Sequence, residues 1–293
     1  YFYLMLLSFL GWLFCFKDFL SGAIPLTADA LSYFDHIGFY TDQLSKGVYP
    51  LWNPLWFDGA PYHFFLRRIG DGNPLFLIII FLKWIGIGQT YAYMIFLTLY
   101  YFLTTTAFYL IARYILKDRL FAFMAFVLLL FSSWGVQLFY NYIILIFLPI
   151  IWFFYFLLCF LKESKKSYFL GMCFCIGMVL TTYIPFYFLI ILITFTVCSF
   201  LIYFQESIMF LRRSVSFIKE NKLFVCFCVL FLLIALLPGI VFYFESKTGD
   251  FLLPHRNADA LEARSAVAVG ISNVSSGDII NSGAFDKVFE GNT

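Results

Sequence analysis

Residues 223–244 form an unbroken apolar run that contains no charged side chain. A helix that crosses the hydrocarbon core of a bilayer needs about 20 such residues, so this run is long enough to span a membrane. The whole chain has the same character, because 63% of its 293 residues are hydrophobic and only 12% are charged. Soluble domains are about 25% charged. The composition therefore excludes a soluble enzyme, a nucleic-acid-binding protein and a disordered chain, and it predicts a membrane protein.

Further apolar segments of similar length predict an all-α fold, a polytopic transmembrane helical bundle with about seven spans. The predicted spans are 2–20, 90–112, 120–136, 143–161, 167–183, 184–204 and 223–244. Residues 74–88 are also apolar but form a shorter stretch that includes Lys83, so we expect a re-entrant or interfacial helix there. A secretory signal over residues 1–20 is the weaker alternative, because no small-x-small cleavage site is evident.

Basic residues fall in three short loops that share one side of the membrane if these spans are right. They are Arg113, Lys117 and Arg119 in the first loop, Lys162, Lys165 and Lys166 in the second, and Arg212, Arg213, Lys219 and Lys222 in the third. Loops rich in Lys and Arg stay in the cytoplasm. Residues 21–73 and 245–293 are then extracytoplasmic. The spans hold almost no ionisable residue, which argues against an ion-driven transporter.

We expect residues 1–244 to form one transmembrane domain and residues 245–293 to begin an extracytoplasmic C-terminal region. The chain starts inside an apolar run without Met and stops in a polar stretch, so we expect a fragment of a longer protein.

The loop 21–73 is long enough to have its own structure and function. Its residues 28–46 predict an amphipathic helix that lies on the membrane surface, with Thr27 as a candidate N-cap and a stop at Gly47 and Pro50. The polar positions on this helix include Asp29, Asp35, His36 and Asp42. The segment after it is rich in Pro, Gly and aromatic residues and forbids a regular helix.

This loop combines the groups that a sugar transfer from a lipid-linked phosphate requires. A carboxylate close to the first span could take a proton from an attacking hydroxyl, and we assign that catalytic role to Asp29. Guanidinium groups bind phosphate through paired hydrogen bonds, and aromatic rings flank sugars. The candidate substrate-binding residues are His36, Trp52, Asn53, Asp58, His63, Arg67, Arg68, Asp71, His255 and Arg256.

Each of these residues also has a structural alternative. Asp29 could have no role other than to stabilise the helix dipole. Asp71, which lies between two glycines, could be a turn residue. His36 could be a surface histidine, while Arg67 and Arg68 could contact lipid headgroups or snorkel. No cofactor is certain, although a divalent metal ion such as Mg or Mn could bind at Asp29 and Asp71.

The residue pattern of this loop also resembles that of a known protein family. Asp29 follows the first span, and the later signature reads Gly47, Pro50, Leu51, Trp52, Asn53, Pro54, Phe57, Gly59 and Pro61. This pattern resembles the integral-membrane GT-C glycosyltransferase superfamily, and within it the YfhO-like bacterial membrane proteins. Asn73-Pro74 and Leu148-Pro149 are also similar to that group, and the resemblance covers roughly residues 1–245.

The resemblance implies a multi-pass protein of a bacterial inner membrane. It implies a polyprenyl-phosphate sugar donor, an extracytoplasmic glycan, lipid or protein acceptor, and Asp29 as base or metal ligand. Asp58 departs from the pattern, since relatives often have Gly there.

Two other functions stay open at this point. A flippase or transporter of lipid-linked glycans would need a polar path through the bundle, for which the sequence offers mainly Thr104–Thr106, Asn141 and Thr181–Thr182. A non-catalytic scaffold would use the outer loop only to bind a partner.

Overall fold

The computed structural model describes residues 2–21, 28–53, 60–62, 66, 69–140, 144–182 and 185–247, most of which are helical. The all-α class is therefore confirmed. The helices are α1 (Phe2–Cys15), α2 (Lys17–Leu20), α3 (Ala28–Ser45), α4 (Phe76–Trp84), α5 (Gln89–Leu116), α6 (Arg119–Phe131), α7 (Ser133–Tyr140), α8 (Ile144–Lys162), α9 (Lys166–Leu180), α10 (Pro185–Ile202), α11 (Phe204–Glu220) and α12 (Lys222–Lys247). Two short strands, β1 (Trp52–Asn53) and β2 (Ala60–Pro61), pair antiparallel between α3 and α4.

The connection between α5 and α6 follows from local chemistry. Lys117 ends α5 in the left-handed conformation, with φ of 57°, and donates its backbone N–H to the carbonyl of Arg113. The Asp118 carboxylate then accepts hydrogen bonds from the N–H groups of Leu120 and Phe121 at 2.6 and 3.0 Å. This N-cap satisfies two of the donors that the first turn of a helix leaves open. A two-residue turn therefore brings α6 back against α5.

Helix α5 lies at the centre of the bundle, where it packs against α4, α6 and α8. Much of the core around it is aromatic. The buried indole of Trp12 has its centroid 4.9 Å from that of Tyr101 and 5.2 Å from that of Phe139. Such tilted and edge-on pairs add to the stability that burial alone gives. These rings join α1, α5 and α7 in one core.

The prediction of about seven spans is not supported. Within the described ranges two helical segments, Gln89–Leu116 and Lys222–Val241, are long and apolar enough to cross a membrane by length and composition. The other predicted spans correspond to apolar helical stretches of 10–17 residues. These are Tyr3–Cys15, Arg119–Phe131, Phe147–Lys162, Lys166–Leu180 and Phe188–Ile202.

Small polar residues explain part of this shortening. The hydroxyl of Ser132 accepts a hydrogen bond from the N–H of Gly135 at 3.0 Å, which starts α7 and divides the predicted span 120–136. Thr181 follows the last residue of α9, and its hydroxyl donates to the carbonyl of Met178 at 2.8 Å. A mean hydropathy over a long window conceals such single polar residues, whereas the hydrogen bond from each hydroxyl to the backbone can begin or end a helix.

The described surface is strongly apolar. More than fifty of the described large hydrophobic side chains are exposed, and they occur on every helix of more than ten residues except α3 and α8. Scarcely any of the apolar window of α12 is buried against the protein. A soluble monomer rarely exposes an apolar patch of more than a few hundred Å². The surface therefore supports a membrane protein.

The three basic segments meet at one end of the helices. Arg113 and Lys117 of the first segment line the same cavity as Lys162 of the second. In the third segment, the guanidinium of Arg213 donates to the carbonyl of Leu161 at 3.5 Å. The side of the membrane that this end faces stays a prediction.

The chain divides into two compact units, residues 1–242 and 243–293. Of the second unit the structure describes only 243–247, at the end of α12. The expected C-terminal region therefore lies almost wholly outside the described residues, and the domain boundary at 244 stays a prediction.

Candidate functional site

Helix α3 provides the platform for the candidate site. The predicted helix over 28–46 is confirmed, and it ends where Gly47 adopts a φ of +74° and donates its N–H to the carbonyl of Leu44 at 2.9 Å. Glycine adopts such a positive φ at little cost, which makes it a common helix terminator. The candidate N-cap Thr27 lies outside the described residues.

Contacts fix α3 to the bundle. The ring of Phe34 lies edge-on to that of Tyr93 in α5, with centroids 5.3 Å apart. The carboxylate of Asp42 forms an ion pair with the ammonium of Lys83 in α4. Lys83 was expected to mark an interfacial helix, and here its side chain also ties that helix to α3.

His36 lies on the buried side of α3 and pairs with Tyr62. The Tyr62 hydroxyl donates to the backbone carbonyl of His36 at 2.8 Å and lies 3.4 Å from its Nδ1 atom. His36 is only 1% exposed, so the surface alternative for this residue is wrong. Burial raises the pKa of Tyr62, and the negative charge of Asp35 raises it further. The hydroxyl of Tyr62 therefore stays protonated, and can act as a donor, above the pH at which an exposed tyrosine ionises.

One turn further along α3, Tyr40 contacts the turn that contains Asp71. Its hydroxyl donates to the backbone carbonyl of Asp71 at 2.8 Å. The hydroxyl of Tyr49 donates to the Asp71 carboxylate. Asp71 is thus a turn residue whose backbone carbonyl is held by Tyr40 and whose carboxylate is held by Tyr49.

The turn at 70–73 packs closely on the end of α9. A Cβ atom added to Gly72 would lie 2.3 Å from Cγ2 of Thr181, which is too close for any side chain. Asn73 is buried, and its amide donates to the hydroxyl of Tyr100 at 2.9 Å while its carbonyl oxygen accepts from the N–H of Leu75 at 3.1 Å. These contacts fix Asp71 relative to α5 and α9.

The Pro-rich segment forms the β1–β2 pair, in which Trp52 lies opposite Pro61 and Asn53 opposite Ala60. Asn53 is buried, whereas the Trp52 indole is 54% exposed. An exposed indole beside buried polar groups is suited to stack on a sugar or to lie at a membrane interface.

We define the polar cap as His36, Tyr40, Tyr49, Tyr62, Asp71 and Asn73. The i and i+4 spacing of His36 and Tyr40 places them on one face of α3, one turn apart. The three tyrosines were not identified as site residues from the sequence. The spacing of Tyr40 from His36 could have identified Tyr40. Tyr49 and Tyr62 belong to the cap through contacts between distant parts of the chain, which local spacing does not encode.

The structure describes only part of the predicted site. Asp29 lies in the first turn of α3, but its side chain is outside the described part, as are the whole residues Asp58, His63, Arg67, Arg68, His255 and Arg256. Among the described side chains, no group of three His, Cys, Asp or Glu residues could hold a metal ion. The Asp71 carboxylate instead accepts the Tyr49 hydroxyl.

No protein-family model, curated protein or solved structure matches this chain.

Proposed function

We propose that this chain is an integral membrane glycosyltransferase, which moves a sugar from a polyprenyl-phosphate donor to an acceptor at the polar cap. The observation that carries the proposal is that α5 connects the region of the polar cap at its first residue with the basic cavity at its last turn. Its first residue, Gln89, lies against Gly38 of α3, and Arg113 in its last turn lines the basic cavity. Arg113 follows Gln89 by 24 residues, which corresponds to about 36 Å of helix, more than the roughly 30 Å of a hydrocarbon core.

On this proposal the shorter apolar helices also lie in the bilayer. Exposed apolar side chains occur on α1, α6, α9 and α10 as they do on α5 and α12, and α8 packs against α5. The basic end faces the cytoplasm by the positive-inside rule, and the polar cap faces the opposite side. A lipid-linked donor would then present its sugar at the cap while its chain stays among the apolar helices. A bacterial inner membrane, an envelope glycan, lipid or protein acceptor, and a bundle of about seven embedded helices belong to the same proposal.

The chemistry is a displacement at the anomeric carbon of the sugar. The acceptor hydroxyl oxygen forms a bond to this carbon, and the bond from the carbon to the phosphate oxygen breaks. Asp29 takes the hydroxyl proton, and polyprenyl phosphate leaves with both electrons of the broken bond. Arg67 and Arg68 bind the phosphate, and His255 and Arg256 are further candidates for that role.

Register along α3 connects Asp29 with the polar cap. Positions 29, 33, 36 and 40 are spaced i, i+4, i+7 and i+11, so they share one face of the helix. His36 and Tyr40 on that face belong to the described cap. Because His36 and Tyr40 are buried, the sugar would bind at the exposed Trp52 indole, and Asn53, Asp58 and His63 complete the proposed sugar-binding set.

Sugar transfer by the purified chain in liposomes tests the proposal. The assay supplies radiolabelled polyprenyl-phosphate hexoses and pentoses and follows sugar released to water or to an alkyl glycoside. We expect Asp29→Asn to lower the rate by about 10²–10⁴-fold, the usual contribution of general acid–base catalysis. Asp35→Asn is the matched control, because Asp35 is an exposed carboxylate on the same helix.

Normal transfer by Asp29→Asn would exclude the proposed base. Movement of the labelled lipid across the bilayer without any sugar release would indicate a flippase instead. Neither transfer nor movement, with a normally folded chain, would leave the scaffold as the better explanation.

A further inference from the structure

A cavity of about 560 Å³ lies at the basic end of the bundle, between the last turns of α5 and α8. Three of its lining side chains are cations: Arg113 and Lys117 from the end of α5, and Lys162 from the end of α8. The others are Leu110, Tyr114, Tyr155 and Cys159. The lining therefore contains no acidic side chain. Its volume is within the range of ordinary ligand sites, about 300–1,000 Å³.

Within the described part of the chain, none of the three cations Arg113, Lys117 and Lys162 forms a salt bridge. The neighbouring Glu163 is engaged elsewhere, because its carboxylate lies 2.6 Å from the ammonium of Lys165. This pairing lowers the pKa of Glu163 and raises that of Lys165. Asp118, which follows Lys117, is also engaged, because its carboxylate accepts the N–H groups of Leu120 and Phe121. The two acids next to the lining in sequence thus have their own partners outside it.

Cations at the C-terminal ends of helices are common because they complement the helix dipole. That effect explains a single Arg or Lys in the last turn of each helix. It does not explain a cavity in which cations from two helices converge, nor the two tyrosines that line it. Convergent cations with hydroxyl-bearing side chains are typical of a site for a phosphate group.

We propose that this cavity binds a phosphate group, and that the lipid headgroup of an anionic phospholipid supplies it. Basic pockets between transmembrane helices bind such headgroups, with the acyl chains along the apolar helix surfaces. Ile115 and Leu116 of α5, which lie in sequence between the lining residues Tyr114 and Lys117, are exposed and apolar, and an acyl chain would pack on such a surface. This site is separate from the polar cap and does not depend on sugar transfer.

Thermal unfolding of the full chain, with lipid titrated into detergent micelles, tests the site. The pocket variant is Lys117→Gln with Lys162→Gln. The matched control is Arg119→Gln with Lys166→Gln, which removes the same charge from the same two loops but outside the cavity lining. The probes are phosphatidylglycerol, phosphatidylcholine and inorganic phosphate.

We expect phosphatidylglycerol to raise the Tm of the wild type and the control, and phosphatidylcholine to have little effect. The pocket variant should require at least about tenfold more phosphatidylglycerol for the same rise, and the control less than about twofold more. If inorganic phosphate alone raised the Tm of the wild type, and this rise were lost in the pocket variant, the phosphate site would be retained but the lipid would be overturned as its source. If both variants lost the rise in Tm equally, or if the wild type responded to neither anion, the site itself would be overturned.

Discussion

Asn73→Ala should destabilise the junction between the polar cap and the bundle. The substitution removes the hydrogen bond to the Tyr100 hydroxyl at 2.9 Å and the one from the Leu75 N–H at 3.1 Å. Each contributes about 1 kcal/mol net, and a buried hydroxyl left without a partner adds to the loss, so we expect about 2–3 kcal/mol in total. For a domain of this size, that corresponds to a Tm lower by about 5–10 °C.

A buried-thiol assay in detergent measures this loss, since Cys173, Cys175 and Cys228 are buried and react with a maleimide dye only on unfolding. Tyr100→Phe and the double variant complete a mutant cycle. Tyr91→Phe is the control, because Tyr91 is on the same helix and 57% exposed. An unchanged Tm for Asn73→Ala, or purely additive effects in the cycle, would refute the assignment of Asn73 as the link to α5.

Three further predictions concern the contacts around the cap. Gly72→Ala should lower the Tm measurably, because the new methyl would lie 2.3 Å from Cγ2, 2.9 Å from Cβ and 3.0 Å from Oγ1 of Thr181. Thr181→Gly removes all three atoms, so Gly72→Ala should cost less in a Thr181→Gly background; an equal loss in both backgrounds would contradict the packing. Burial raises the pKa of Tyr62, so above about pH 10 only the unfolded chain releases this proton, and the free energy of unfolding falls as the pH rises. Tyr62→Phe should make this fall less steep; an equally steep fall in the wild type and the variant would contradict the reasoning. A double-mutant cycle with Asp42→Asn and Lys83→Met should give a coupling of at most about 1 kcal/mol, because the side chains are 51% and 22% exposed; a coupling of several kcal/mol would show a fully desolvated pair.

Hydropathy predicted where the helices lie but not whether each one spans. The predicted segment 223–244 matches α12, and 143–161 matches α8, because the apolar signal extends over many residues. The break at Ser132 depends on one hydroxyl that accepts one backbone hydrogen bond. A hydropathy window of about 20 residues does not resolve a single hydrogen bond of this kind, and the structure does not support the count of about seven spans for that reason.

The same limit applies to the candidate site. The helix 28–46 and its stop at Gly47 were predictable, because both are local features. The pairing of His36 with Tyr62 joins residues 26 positions apart, and that of Tyr49 with Asp71 joins residues 22 apart. Contacts of this kind depend on the packing of the turn and strands against α3, which composition and spacing do not encode.

Helix α11 was also missed, since its residues were interpreted only as a basic loop. Phe217 is buried there between Phe160 and Phe169, with ring centroids 5.2 and 5.3 Å away. Its polar and apolar residues alternate with helical periodicity, and that signal could have identified the helix.

Site-directed labelling of single cysteines tests most directly whether the polar cap and the basic end lie on opposite sides of a membrane. Ser45→Cys at the end of α3 and Ser164→Cys between α8 and α9 are introduced separately, at exposed positions, after the seven native cysteines are replaced. We expect a membrane-impermeant maleimide to label position 45 in intact cells, and position 164 only after permeabilisation. Labelling of both positions from the same side would contradict the account.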